Sequence, residues 1–245
     1  MSREPRHFTA EADERSVEYA ESDWRQHYMN LLRGRGIEIG PLHRPMPVHP
    51  AMEVRYVDRY SVEVLRKHYP ELVGETLIAP DIIDDAESLH TLGDSSQDFV
   101  VAAHVIEHMR NPILALQNWV RVVKPGGGLY LVVPDKRRTF DKQRDRTPLD
   151  HLIMDYEQPS AHRDFEHFLE WAAKVDGKPR REAARFAKEL AERDYSIHFH
   201  VFLPDDVLRL LDWVSEHIRP IRIVEGPSSD PRSDEFHLFV QVAST

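Results

Sequence analysis

Gly93-Asp94-Ser95-Ser96-Gln97-Asp98-Phe99-Val100-Val101-Ala102-Ala103-His104-Val105-Ile106-Glu107-His108-Met109-Arg110-Asn111-Pro112 decides the fold. A polar turn (Gly93 to Asp98) leads into a short, wholly apolar run, Phe99 to Ala103, of the kind that fills a strand buried on both faces. His104 to Met109 reads as the start of a short helix. Pro112 to Val123 then carries apolar residues at helical spacing behind a proline, a favoured first helical residue. Lys124-Pro125-Gly126-Gly127-Gly128 stops that helix, and Leu129 to Val133 is a second apolar strand. Strand, crossover helix and strand, joined by short turns, predict a parallel sheet.

Outward from this unit the alternation continues in both directions. Val17 to Leu32 has the spacing of a covering helix, after a charged and aperiodic stretch at residues 1–15. Gly36 to Gly40, Glu53 to Val57 and Thr76 to Ala79 read as three short strands, with a helix over Ser61 to His68. Beyond Pro134 the pattern turns charged and helical, with helices expected at Asp150 to Tyr156, Phe165 to Val175 and Arg181 to Asp194. A last helix (Pro204 to His217) and two strands (Ile221 to Glu225, Phe236 to Val242) complete the chain. The expected architecture is α/β: a Rossmann-like, seven-stranded, mostly parallel sheet flanked by helices, with a helical cap inserted after the fifth strand. We divide it as one domain over residues 1–245: a tail and covering helix (1–32), a core (33–134 and 199–245) and the cap (135–198).

Composition narrows the function. The 245 residues hold no cysteine, which excludes a disulfide framework, a thiolate metal site and a cysteine nucleophile. A reducing cytoplasm is the expected location. The N-terminus lacks the apolar stretch of a signal peptide, and no run approaches the roughly 20 apolar residues that span a bilayer. The net charge of −10 disfavours a nucleic-acid partner, whose phosphates are bound mainly by cations. Lys136, Arg137 and Arg138 are read as a solvated loop.

Ligands of open parallel sheets sit beyond the carboxyl ends of the strands, where strand order reverses. The first such turn here is Glu38-Ile39-Gly40-Pro41-Leu42-His43-Arg44, and the next strand ends at Asp58, an acid placed to accept both hydroxyls of a ribose. A pyrophosphate needs several glycines in that turn. With Gly40 alone, a nucleoside cofactor without pyrophosphate fits better than a nicotinamide or flavin dinucleotide.

Ser96 to Pro112 resembles the fourth-strand motif of class I S-adenosylmethionine-dependent methyltransferases, the methyltransferase-11-like group. Arg121-Val122-Val123-Lys124-Pro125-Gly126-Gly127-Gly128 with the following LYLVVP resembles their fifth-strand motif, in the family's order and spacing. The likeness spans roughly residues 33 to 134 and, more weakly, 199 to 242. It implies a transferase with S-adenosylmethionine as cofactor. Glu38 and Gly40 would meet the methionine end, Asp58 the ribose, Asp81 or its rival Asp85 (followed by Ala86) the adenine amine, and Ala103 and His104 the amine or the methyl group. The chain departs from the family at Leu42 and Arg44, where glycines are usual.

The expected partner is a small-molecule methyl acceptor, such as an oxygen of a sugar or secondary metabolite, seated under the cap. Tyr156, His162, His167 and Trp171 are candidates to line its pocket, although each alone fits ordinary packing. The alternative is a non-catalytic binding module whose cofactor site has degenerated. His104-x-x-Glu107-His108 also matches the pattern of inverted zinc peptidases, but it lies within the methyltransferase motif. A divalent metal is a further expectation. The Glu-His run and a later histidine are similar to metal-dependent methyltransferases acting on terminal RNA hydroxyls or quinone precursors. His104, Glu107 and His108, at i, i+3 and i+4 of a helical start, would share the ion with His200. Otherwise these histidines line the pocket, and His108 or His200 serves as general base.

Overall fold

The computed structural model describes residues 24–244. The expected tail over 1–15 and the first part of the covering helix lie outside the described residues. The rest of that helix, α1, covers residues 24–29 and sets Tyr28 and Met29 against the sheet.

Seven strands form one sheet: β1 (Gly34–Ile39), β2 (Met52–Asp58), β3 (Ile82–Ile83), β4 (Gln97–Ala103), β5 (Val123–Pro134), β6 (Ile221–Ser228) and β7 (Glu235–Val242). Their spatial order is β3-β2-β1-β4-β5-β7-β6. The first five are parallel, whereas β7 runs antiparallel to both β5 and β6. Strand order therefore reverses between β1 and β4. This is the Rossmann-like sheet expected from the sequence, closed by an antiparallel hairpin.

Two apolar layers explain why the central strands read as unbroken hydrophobic runs. On one face Ile37, Val100, Leu131 and Leu238 pack with Trp119 and Leu116 of α3 (Pro112–Val122) and Leu210 and Val214 of α7 (Pro204–His217). On the other, Val101, Tyr130 and Phe99 meet Tyr28 and Met29 of α1. Helix α3 starts where Asn111 accepts the Leu114 N–H at 2.9 Å, a side-chain cap for an otherwise unsatisfied donor. The short α2 (Val62–His68) follows β2.

Between β5 and α7 the chain inserts α4 (Leu149–Glu157), α5 (Ala161–Lys174) and α6 (Arg180–Glu192). Leu152 of α4 belongs to the main core. By contrast α5 and α6 close over a small cluster of their own, with Phe168, Ala172, Ala187 and Leu190 against Ile197 and Phe199.

Two local expectations are corrected. The third strand is not Thr76 to Ala79, which lacks ladder pairing, but Ile82–Ile83 against Val57 and Asp58. Residues 104–109 form no helical start: a single 3₁₀ turn covers Ile106–His108, and His104 before it takes a left-handed φ of 53°. That conformation turns the chain, so His104 does not share a helix face with Glu107 and His108.

Candidate functional site

A cavity of about 260 Å³ opens at the carboxyl edge of the sheet, where the order reverses. Ile39 and Gly40 after β1, Asp58 at the end of β2, Asp84 to Glu87 after β3 and His104 and Val105 after β4 line its core side. Asp194, Tyr195, Ser196 and Phe199, from the segment after α6, close the other side. Asp194 is held there by two cations, Arg59 of the core and Arg110, the latter at 2.7 Å.

The first turn takes left-handed backbone at two positions. Gly40 has φ +62°, which glycine adopts freely, and Leu42 adopts φ +46° despite its side chain. Left-handed backbone at a branched residue costs about 1 to 2 kcal/mol, so the surrounding structure imposes that turn.

Asp58 is half-buried on the cavity wall, and its carboxylate accepts the Arg59 N–H at 2.7 Å. Burial raises its pKa to about 6, against the lowering pull of the backbone donors Arg59 and Tyr60. Asp85 is exposed at the rim, with Ala86 beside it. Asp81 lies away from the cavity. Its backbone pairs with Tyr56 at the sheet edge, and its carboxylate accepts the Tyr56 N–H at 2.8 Å. Of the two rivals for adenine, only Asp85 lines the cavity.

Glu38 and Ala103 are also off the wall. Both alternate to the other face of the sheet, where Ala103 packs against the α1 cluster. Glu38 is buried and accepts the Met46 N–H at 3.0 and 3.2 Å, fixing the loop that follows Gly40. Burial pushes its carboxyl up to about 7.

His104 reaches the cavity, but its Nε2 lies 2.7 Å from Glu235 of β7. Arg25 grips the same carboxylate at 2.7 and 2.9 Å. Burial alone would raise Glu235, yet His104 and Arg25 outweigh it and hold the group far below the usual carboxylate range.

The four residues expected to share a metal separate into two places. Glu107 is fully buried with neither carboxylate oxygen hydrogen-bonded. Around its Oε1 stand nitrogens of His104 (3.8 Å), His108 (3.9 Å) and His198 (4.0 Å). Glu107, His108 and His198 have donor atoms close enough to converge on one ion, and His104 falls outside that set. His198 is fixed by Asp141 at 2.6 Å. Nδ1 of His108 faces the Ile197 carbonyl at 2.9 Å, so that nitrogen carries the proton and Nε2 is left as a base or ligand. Burial lowers the His108 pKa well below its ordinary value, so the ring is neutral.

His200 is corrected: its N–H donates to the Glu107 carbonyl at 3.1 Å, but its side chain lies neither on the cavity wall nor in the set around the Glu107 carboxylate. Residues two apart in a regular extended run share a side, yet this segment forms no strand: His198 joins Glu107 while His200 turns toward α4 and α5. His167 also belongs to the second place, with His151 and Asp155. His162 is exposed on α5, and among the residues suggested for an acceptor pocket, His162, His167, Tyr156 and Trp171 all lie off the cavity lining.

The model of the methyltransferase domain family matches residues 48–131. The chain resembles the class I S-adenosylmethionine-dependent methyltransferases, as its motifs suggested. No curated protein matches it. Among solved structures, the CurJ carbon methyltransferase is similar at 15% identity and TM-score 0.50, over 93% of this chain and 55% of that one. A candidate zinc-dependent alcohol dehydrogenase from Rhodobacter sphaeroides matches at 14% identity and TM-score 0.53, over 91% and 90%. A methyltransferase from Aquifex aeolicus matches at 14% identity and TM-score 0.49, over 92% of each chain. At such identities a likeness shows the fold alone. No helix among the described residues is long and apolar enough to cross a membrane.

Proposed function

We propose that the chain binds S-adenosylmethionine in the cavity at the strand-order reversal and transfers its methyl group to a small hydroxyl-bearing acceptor. The position of the cavity carries this reading. Gly40, Asp58, Asp85 and His104, from the ends of four neighbouring strands, meet there. Asp58 accepts the ribose hydroxyls, Asp85 with Ala86 meets the adenine, and the glycine turn at Gly40 receives the methionine end. Glu38 supports that turn from behind through Met46.

Methyl transfer is an in-line displacement: a lone pair of the acceptor oxygen forms the new bond to carbon while the C–S pair returns to sulfur. Positioning supplies most of the acceleration. The hydroxyl proton needs a base, and neutral His108, with Nε2 free at the cavity, takes that role. Glu107, His108 and His198 would also fit a divalent ion, because the buried and unpartnered Glu107 carboxylate calls for a cation. Such an ion, when bound, lowers the pKa of an acceptor hydroxyl.

Isothermal titration with S-adenosylmethionine and with its demethylated product tests the reading, with binding expected for both. Absence of binding to either at millimolar concentration would return the chain to the non-catalytic alternative. Activity that survives complete metal removal would leave His108 as base alone.

A further inference from the structure

The residues that the methyl-transfer reading leaves unused converge at one point between the inserted helices and the core. His151 and Asp155 stand at i and i+4 on α4, so they share a helix face. His167 comes from α5 and His200 from the extended segment before α7. His151 Nε2 lies 3.0 Å from Asp155 Oδ2 and 3.2 Å from His167 Nε2. The three imidazole rings sit 4.9 to 5.9 Å apart, centroid to centroid. One donor atom from each of the four residues lies within 4.8 Å of all the others.

Two further observations say what the cluster is for. His200 is fully buried, and its Nε2 faces the Arg110 carbonyl at 3.2 Å. That nitrogen therefore carries the proton, and Nδ1 is a buried lone pair without a hydrogen-bond partner. A histidine whose other ring N–H is anchored to a carbonyl is the usual state of a metal ligand. Asp155 also has its two oxygens divided: Arg163 occupies Oδ1 at 2.6 Å, while Oδ2 faces into the cluster, with His151 Nε2 at 3.0 Å. In a tetrahedral zinc site with bonds near 2.05 Å, neighbouring donor atoms stand about 3.3 Å apart, close to the two separations seen here.

We infer that His151, Asp155, His167 and His200 form a second, structural site for a zinc-type divalent ion that ties α4 and α5 to the segment leading into α7. Three imidazoles and one carboxylate suit zinc and leave no vertex open, the mark of a structural rather than a catalytic centre. Phe199, next to His200, lines the cofactor cavity. The ion would thus hold in place the cavity wall formed by the segment after α6. The inference does not depend on methyl transfer.

Full-length protein stripped with a chelator, then titrated with zinc sulfate by calorimetry and checked by elemental analysis, tests it. Cobalt(II) in place of zinc adds a readout, because a tetrahedral centre gives strong visible absorption. One zinc equivalent is expected to weaken by about 100-fold or more in His151→Ala and in His167→Ala, together with loss of the cobalt band. The same equivalent persists in Glu107→Gln, which removes only the other cluster's carboxylate. His151 and His167 are half-buried, so these variants remain folded, verified by circular dichroism. If either does not, Asp155→Asn, which keeps the side chain's shape, replaces it. No zinc uptake by the wild type, uptake unchanged by the α4 and α5 variants, or uptake lost only in Glu107→Gln would each overturn the inference.

Discussion

Asp58 and Glu38 are two carboxylates taken out of water for different ends, and pH separates them. Asp58 is useful as an acceptor for ribose only when ionised, and in the free protein it titrates at about 6. Cofactor affinity should therefore be flat above that pH and fall about tenfold per unit below it. Asp58→Asn should abolish this dependence, and Asp58→Ala should weaken binding roughly ten- to a hundred-fold at neutral pH by removing charge-assisted bonds worth about 1.5 to 3 kcal/mol. Titrations at pH 5 to 8 check both; a wild-type profile that stays level to pH 5 would remove Asp58 from the site. Glu38 has no such partner in the cavity. Its folded pKa of about 7 lies above the unfolded 4.5, so the folded chain holds the extra proton between those values. Stability from this group is thus present below about pH 4.5 and lost as pH rises through about 7. The full difference is about 3 kcal/mol at 1.36 kcal/mol per pKa unit. Glu38→Gln, which still offers an oxygen to the Met46 N–H, should raise the melting temperature at pH 8 by up to about 10 °C and leave it nearly unchanged at pH 5. Equal melting shifts at both pH values would contradict the burial argument.

At the scale of elements, the central strands and flanking helices were legible because buried parallel strands are continuous apolar runs and amphipathic helices keep a 3.6-residue period. The third strand escaped for a physical reason: two residues at the sheet edge leave no period to read, and the longer run Thr76 to Ala79 nearby attracts the assignment. The turn at residues 104–109 escaped because His104 is left-handed, a conformation uncommon for any residue but glycine and not marked by local spacing. Asp58, Gly40 and the Glu-His run were readable since each sits at the end of a strand. The two histidine clusters were only half readable. Their members come from the turn after β4, from α4, from α5 and from residues 198 and 200, and no local spacing joins them. His151 and Asp155 at i and i+4 were the one local hint. The glycines offer a test of these elements. An added Cβ at Gly36, on β1, would lie 2.4 Å from the Phe99 carbonyl oxygen on β4, whereas one at Gly40 meets nothing nearer than 3.6 Å and suffers only from its positive φ. Gly36→Ala should therefore cost about 3 kcal/mol or more, by overpacking between paired strands, and Gly40→Ala about 1 to 2 kcal/mol. Urea denaturation ranks the two, and a reversed order would contradict the β1–β4 contact.

For the whole molecule, the decisive feature is that, among the described residues, the apolar layers on the sheet and the small cluster under α5 and α6 are separate and unequal. The main layer runs through β1, β4, β5 and β7 and the helices packed on them, while α5 and α6 rest on the small cluster around Phe168 and Leu190. Units with fewer buried apolar contacts open at lower free energy than the global transition. The cap is also fastened by charge: Asp194, on the segment leaving α6, pairs with Arg59 after β2 and with Arg110 before α3. These pairs are more than a third exposed, and such pairs contribute about 0.2 to 1 kcal/mol each. Asp194→Ala should then weaken the cap by about 1 kcal/mol in all, a roughly fivefold increase in its opening constant, and leave the sheet unaffected. Hydrogen exchange followed by mass spectrometry separates the two: amides of α5 and α6 should exchange well ahead of those in β4 and β5, and faster still in Asp194→Ala. Because Asp194, Tyr195 and Ser196 line the cavity, a ligand bound there contacts cap and core together and should slow the cap selectively. A saturating ligand at 100 times its dissociation constant stabilises the form that binds it by about 2.7 kcal/mol. The cap should therefore lose about a hundredfold in opening when S-adenosylmethionine is added at that excess. Exchange of α5 and α6 that tracks the sheet with and without ligand would mean that cap and sheet open as one.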